Sequence, residues 1–167
     1  MAVVRLDVPA CPASPPWVDA GPFRAHLSLL MAAGGLSSAE IALLAGLPVR
    51  VVAHLGGGRA GRSVRRVNPH VARRLLRLTV EEVRAIGFRA VPVTGTARRV
   101  RRLLSDGWPV ADLARLLRTT EREVCAIAEE RVPVCSQLVA LRAAAATARG
   151  AGARTETRTG TAMVTAA

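Results

Sequence analysis

The sequence has no lysine and no tyrosine, and its only aromatic residues are two tryptophans and two phenylalanines. Proteins that bind single-stranded RNA commonly stack exposed aromatic rings on the bases. We expect most of the four rings, at Trp17, Phe23, Phe88 and Trp108, to lie in a core, so binding of this kind is not predicted. Alanine, valine, leucine and glycine dominate instead, as in proteins of GC-rich genomes, and that bias accounts for arginine in place of lysine.

Cysteine is also scarce. Cys11, Cys125 and Cys135 are odd in number, far apart and without a CxxC pair, so reduced thiols are expected rather than a disulfide framework or a zinc site. No apolar run approaches the ~18 residues of a membrane span. Arg5 is the only basic residue among the first 20, and no apolar block follows it. We therefore expect a cytoplasmic chain with no membrane partner.

Sequence motifs of catalysis are missing as well. There is no phosphate-binding loop of the Walker type, no HExxH and no nucleophile embedded in a strand. The pairs Glu81-Glu82 and Glu129-Glu130 fit helix caps and solvated helix faces better than an active site. The sequence thus predicts no enzyme, no cofactor, no metal and no small-molecule ligand.

Acidic residues are half as numerous as basic ones, 12 against 24, which leaves a net charge of +12. Codon usage does not explain this imbalance, because GC-rich codons supply acids little less readily than arginine. The charge is also concentrated, since residues 41–80 contain eight arginines and no acid. A cation excess attracts polyanions through a salt-dependent field, so nucleic acid is the first partner to consider and association with the nucleoid is expected.

The spacing of apolar residues between the two ends of the chain is helical, and proline or glycine interrupts it every ten to fifteen residues. This pattern predicts an all-α fold without strands. The expected helices span residues 22–33, 38–45, 49–55, 69–78, 80–86, 97–106, 110–117 and 121–131. Three of them begin with the S/T-x-x-E form of a capping box: Ser37 with Glu40, Thr79 with Glu82, and Thr120 with Glu123.

Residues 38–55, SAEIALLAGLPVRVVAHL, meet the demands of two short helices that cross at a tight turn. Such a pair needs a small residue where the helices touch, here Ala42, and a residue tolerant of positive φ at the turn, here Gly46. The apolar residues that would bury the pair are Ile41, Ala45, Leu47, Val52 and Leu55. An ordinary helical hairpin uses the same devices, but we favour a helix-turn-helix, whose second helix enters the DNA major groove.

The predicted outward face of that second helix offers few side chains to bases. It consists of Pro48, Val49, Arg50, Ala53 and His54. Arg50 suits a bidentate pair with guanine, while Val49 and Ala53 suit thymine methyl groups. His54 fits either a base or phosphate contact or a merely solvated position.

A segment rich in glycine and arginine, GGGRAGRSVRR, follows at residues 56–66. Its arginines are predicted to grip phosphates or to enter the minor groove as an arm: Arg59, Arg62, Arg65 and Arg66. The next helix extends this field with Arg73, Arg74 and Arg77. Ser38, at the start of the first helix of the pair, completes the DNA contacts predicted for this half.

The same apolar skeleton returns 72 residues later. The shift places Met31, Gly35, Ile41, Ala42, Ala45, Val52 and Leu55 on Leu103, Gly107, Leu113, Ala114, Leu117, Val124 and Ile127. Trp108 is expected to replace Leu36 beneath the loop. The turn position is Arg118 rather than glycine, which costs about 1 kcal/mol if the backbone is left-handed there.

The outward residues of this second unit differ from those of the first. Glu121, Arg122 and Glu123 open its second helix, so the tip has no cation excess. Its predicted DNA contacts are Thr120 and Arg122 on the tip and Arg98, Arg99, Arg101 and Arg102 on the preceding helix. A scaffold, or a module that docks a partner, is the alternative for this unit.

The stretches LLMAAGGLSSAEIALLAGLPVRVVAHL and VPVTGTARRVRRLLSDGWPVADLARLL resemble helix-turn-helix proteins of actinobacteria and their phages, phage immunity repressors among them. The resemblance covers about residues 25–130. It implies a transcriptional regulator whose first recognition helix corresponds to residues 48–55. Arg118 in place of a turn glycine, and the triple glycine after Leu55, depart from the pattern of the group.

The sequence therefore predicts two helix-turn-helix units in tandem between disordered ends. Residues 1–17 form a flexible Pro-rich lead, 18–66 the first unit with its basic loop, and 67–93 connecting helices. Residues 94–142 form the second unit, and 143–167 a frayed helix that passes into a disordered tail.

The function expected from these features is that of a regulator, most simply a repressor, that binds double-stranded DNA. A recombination or excision accessory factor, or an adaptor that docks on RNA polymerase or another regulator, is the alternative. Dimerisation stays open, because no heptad seam is visible.

Overall fold

The computed structural model describes residues 17–57 and 64–161, with side chains as far as Gly150. In these ranges the chain is mostly helical, and the predicted all-α class is confirmed. Residues 1–16 of the predicted lead, and Arg59 and Arg62 of the basic loop, lie outside the described residues. Within the described part no single helix is both long and apolar enough to cross a membrane, and the first two helices meet that test only together, bent by 99°.

The first half of the chain forms a unit of four helices and a two-stranded ribbon. Its helices are α1 (Gly21–Gly34), α2 (Ser38–Leu44), α3 (Val49–Leu55) and α4 (Pro69–Leu76). Strand β1 (Val18–Asp19) pairs antiparallel with β2 (Arg66–Val67), so the ribbon brings the start of the unit beside the start of α4. Helix α5 (Val80–Ala85) and a 3₁₀ turn (Ile86–Phe88) follow.

The second half repeats this order of elements. Strand β3 (Ala90–Pro92) pairs antiparallel with β4 (Val134–Ser136). The helices are α6 (Thr94–Ser105), α7 (Val110–Leu117), α8 (Glu121–Ala128) and α9 (Gln137–Thr161). The repeat therefore includes a ribbon that the sequence did not predict, because strands of two or three residues are too short to display an alternating pattern. The fourth helix of the second unit begins at Gln137, before the frayed helix predicted from residue 143.

Capping side chains fix three of the helix starts, as predicted. Ser37 and Thr79 each accept a hydrogen bond from the backbone N–H three residues later, and the glutamate there accepts from the N–H of the cap. Thr120 makes only the first half of the box, because the carboxylate of Glu123 accepts from the Thr119 hydroxyl instead. Local sequence thus determines where these helices begin.

Helix α9 includes the start of the frayed helix predicted from residue 143, and it packs more closely there than the sequence indicated. The side chains of Ala143, Ala145 and Ala146 are buried, and the helix continues to Thr161. Alanine favours helix and its small side chain permits close packing, so a stretch without large residues still contributes to a core. Residues 162–167 lie outside the described part of the chain.

The same helix joins two hydrophobic cores. Leu141 belongs to the core of the first unit, whereas Val139 and Ala143 belong to the core of the second. Helix α9 accordingly packs against α2 of the first unit as well as α6 and α7 of the second. The two units are therefore held in one arrangement by a helix that neither can lose without exposing its core.

Three of the four aromatic side chains are on the surface, which contradicts the expectation of core positions. Phe88 is 93% exposed, Trp17 59% and Trp108 40%, while Phe23 packs against the first core. Leu36 is buried beside Gly34, where Val83 of α5 also packs. Among the described residues the second unit has no counterpart of α5, so nothing equivalent covers Trp108.

A buried ion pair links the two units. Nε of Arg142 on α9 lies 3.6 Å from Oε1 of Glu40 on α2, and both side chains are less than a tenth exposed. Arg142 also donates to the carbonyl of Leu117 at the end of α7. Burial lowers the pKa of the Arg142 guanidinium and the nearby Arg118 lowers it further, whereas Glu40 raises it. The charge of Arg142 is therefore costly to bury, and Glu40 offsets part of that cost.

Candidate nucleic-acid interface

The turn between α2 and α3 has the backbone that the sequence predicted. Gly46 has φ of +62°, and the N–H of Leu47 donates to the carbonyl of Ala42 at 2.8 Å. The apolar residues expected to bury the pair lie against the first core, most of them fully: Ile41, Ala42, Leu47, Val52 and Leu55, with Ala45 half-buried. The segment thus forms two short helices that meet at a glycine turn.

We expect Gly46→Ala to lower the free energy of unfolding by about 2 kcal/mol. A Cβ at this position would be strained by the positive φ and would lie 2.8 Å from Nη1 of Arg74, which donates to the Gly46 carbonyl. Urea unfolding of the variant measures the change. Gly87→Ala is the matched control, because open space surrounds that position, and it should change stability by less than about 0.5 kcal/mol.

The outward face of α3 carries the polar side chains predicted for it. Arg50 and His54 are exposed, as is Pro48 before the helix, whereas Val49 and Ala53 are only partly exposed. Val51 is also exposed and was not predicted, because an apolar residue within a helical pattern is usually assigned to the core. The face therefore presents one guanidinium, one imidazole and small apolar surfaces, a set that can contact base edges.

An open groove of about 570 Å³ runs beside this face. Its walls include four apolar side chains, two histidines and one arginine: Trp17, Val51, Val64, Val71, His54, His70 and Arg66. The groove joins α3 to the ribbon and to the first turn of α4. Neither Trp17 nor His70 was predicted to lie here, because only the pairing of β1 with β2 brings these distant positions together.

Exposed arginines without an ion-pair partner follow α3 in the chain, and Arg66 among them lines the groove beside α3. Arg65, Arg66, Arg73 and Arg77 are exposed, and none of the ion pairs among the described residues involves an arginine between positions 50 and 89. Two other arginines form hydrogen bonds within the protein. Arg74, which was predicted to extend the positive field, donates to the Gly46 carbonyl, and Arg24 donates to the Val64 carbonyl. The remaining guanidinium groups leave this surface strongly positive.

The second unit repeats the turn but not the surface chemistry. Arg118 adopts φ of +53°, the left-handed conformation of Gly46, although it is not glycine. The tip of α8 exposes Glu121, Arg122 and Glu123, and the hydroxyl of Thr120 is occupied as the helix cap. Its local charge is therefore negative, which disfavours contact with phosphates.

The arginines predicted on α6 fall into two groups. Arg98, Arg99 and Arg102 are exposed, although Arg99 donates to the Gly95 carbonyl of its own helix. Arg101 bonds the Ala128 carbonyl and forms an ion pair of 2.9 Å with Glu130, so it ties α6 to the end of α8. Arg101 was predicted to contact DNA and serves the fold instead.

Ser38 is the last predicted contact on the first unit, and it is partly exposed at the start of α2. Next to it lies an arginine from a distant part of the chain, since Arg149 of α9 donates to the hydroxyl of Ser37 at 3.1 Å.

No group of three histidine, cysteine, aspartate or glutamate residues that could hold a metal occurs in the described ranges. Neither a protein family nor a curated protein nor a solved structure matches this chain.

Proposed function

We propose that this chain is a non-enzymatic regulator of transcription, acting as a repressor, that binds a specific sequence of double-stranded DNA. Helix α3 enters the major groove, where Arg50 pairs with guanine and His54, Val49 and Ala53 contact neighbouring bases. The arginines around α3 neutralise phosphates on either side of the groove, and those of residues 56–66 extend that contact.

One observation carries this proposal: a short helix after a glycine turn exposes Arg50 and His54, within residues 41–80, which contain no acid. A helical hairpin in an ordinary bundle would use the same turn, but it would not need eight arginines and no carboxylate in residues 41–80. Clustered cations that lack partners repel one another, so this arrangement favours a protein that meets an anionic ligand.

A salt titration tests the proposal. We expect the affinity of the full chain for GC-rich duplex DNA, measured by fluorescence anisotropy, to fall with a log–log slope of about −4 or steeper between 50 and 200 mM salt, because at least five phosphates are neutralised. Selection of genomic fragments should then enrich a shared motif. No binding at low salt, or binding without a preferred sequence, would contradict the proposed function.

A second candidate function is favoured by the tip of α8. Its exposed Glu121 and Glu123 suit a basic protein surface better than DNA, so the second unit is a candidate dock for RNA polymerase or another regulator. An adaptor of this kind would bind its partner without duplex DNA. The salt titration separates the two candidates, because the adaptor alone would show no affinity for the duplex.

A further inference from the structure

A cluster of three arginines lies where the second unit meets the start of α2. We call it the arginine seam, and its members are Arg118, Arg142 and Arg149. They come from the α7–α8 turn and from two turns of α9, yet all approach the segment from Gly35 to Glu40. No sequence pattern predicts this gathering, because the three residues are brought to the first unit only by the packing of α9 on α2 and on α7.

The charges in the seam do not balance. Glu40 is the only acid that forms an ion pair there, and its carboxylate is shared between Arg142 and the backbone N–H of Ser37. Arg149 donates to a neutral hydroxyl, and the side chain of Arg118 forms no hydrogen bond or ion pair within the described part of the chain. Arg118 is close enough to Arg142 to lower the pKa of that guanidinium. Two exposed positive charges are therefore left over beside a buried one.

Arg118 also has an unfavourable backbone. Its φ of +53° is a conformation that glycine adopts freely and that costs a residue with a Cβ. Its guanidinium reaches across to Gly35, where Nη1 would lie 3.6 Å from a Cβ if Gly35 had one. A strained residue whose charged group is extended toward another unit, without a partner there, points to a ligand outside the protein.

We infer that the arginine seam binds a phosphate of the DNA backbone, through Arg118 and Arg149, next to the groove that α3 enters. This inference rests on the proposed function and extends it. In a helix-turn-helix the first helix crosses the backbone while the second enters the groove. Helix α2 is that first helix, and the seam surrounds its start, so the passing strand lies within reach of the exposed guanidinium groups of Arg118 and Arg149.

Through the seam the second unit contacts the DNA backbone, a role for which its helix α8 is unsuited. The acidic tip of α8 stays out of the groove, while the turn before it contributes Arg118 to the contact made by the first unit. Because α9 fixes the two units together, this contact is available without any rearrangement of the protein. One chain thus covers an asymmetric site, with bases read by one unit and a flanking phosphate held by both.

Arg118→Gly tests the inference without risk to the fold, since glycine suits the left-handed turn. We expect the variant to melt about 2–4 °C higher than the wild type, while its affinity for duplex DNA falls at least about threefold and the salt slope becomes shallower by about 0.9. For Arg118→Gly combined with Arg149→Gln, the salt slope should become shallower by about 1.8, which corresponds to two fewer neutralised phosphates. The control is Arg115→Gln, which removes one exposed charge from α7 and should leave the slope within about 0.3 of the wild-type value.

The outcomes separate the seam from the proposed function. A wild-type chain that binds no duplex overturns both. A wild-type chain that binds with a steep salt slope, beside an Arg118→Gly variant of unchanged affinity and slope, overturns the seam alone. A lower melting temperature for Arg118→Gly also overturns it, because the guanidinium would then stabilise the protein rather than await an anion.

Discussion

Replacing Arg50 with alanine is expected to weaken binding to the selected duplex by tenfold to a hundredfold. Arg50 is the only arginine on the outward face of α3. Its planar guanidinium can donate two parallel hydrogen bonds to the two acceptors that guanine presents in the major groove. A bidentate pair of this kind contributes about 1–3 kcal/mol of discrimination, which corresponds to the expected loss. Anisotropy titrations at one fixed salt concentration measure the change.

The specificity of that loss is as informative as its size. Affinity for an unrelated duplex of equal length should fall by about threefold or less, since only one positive charge is removed. Arg115→Ala removes the same charge from the second unit and serves as the control on both duplexes. Equal losses on the selected and the unrelated duplex would show that Arg50 contacts phosphate and not a base.

Removing the charge of Glu40 is expected to destabilise the whole chain. In Glu40→Gln the buried guanidinium of Arg142 loses the one carboxylate that pairs with it among the described residues, next to the like charge of Arg118. Breaking one side of a buried pair costs about 3 kcal/mol, because the remaining charge is uncompensated. Glutamine keeps an acceptor for the Ser37 N–H, so the cap is retained. Urea unfolding, followed by circular dichroism, measures the loss.

Two companion variants sharpen this prediction. Glu40→Gln with Arg142→Met should recover most of the stability, since neither charge is then buried. Asp112→Asn breaks an exposed pair with Arg115 on α7 and should cost less than about 0.5 kcal/mol. A Glu40→Gln variant as stable as Asp112→Asn would mean that the link between the units contributes little.

The first helix pair could be predicted from the sequence because its determinants are local. Gly46, Ala42 and the capping box at Ser37 fix the turn and the start of α2, and the period of the apolar residues fixes the buried face. The exposure of Arg50 and His54 follows from that face. Local chemistry of this kind is legible in one sequence.

The rest of the interface depends on contacts between distant residues. The ribbon that places Trp17 and His70 beside α3 consists of one pair of two-residue strands, and the seam exists only because α9 packs on α2. The burial of the alanines at positions 143–146 was not predicted for a related reason, since such small side chains form a core only where a neighbouring helix lies close to them. The sequence did show that Arg118 is unusual, because the repeat places an arginine where a left-handed residue is required. Its position beside Gly35 is known only from the structure.

The proposed function depends most on α3 lying in the major groove of duplex DNA. Methylation interference tests this directly, because a methyl group on guanine N7 occupies the major-groove edge that Arg50 is proposed to contact. We predict that methylation of one guanine in the selected site blocks binding of the wild-type chain and that Arg50→Ala is indifferent to methylation at that same guanine. Wild-type binding that no N7 methyl group disturbs would contradict the account.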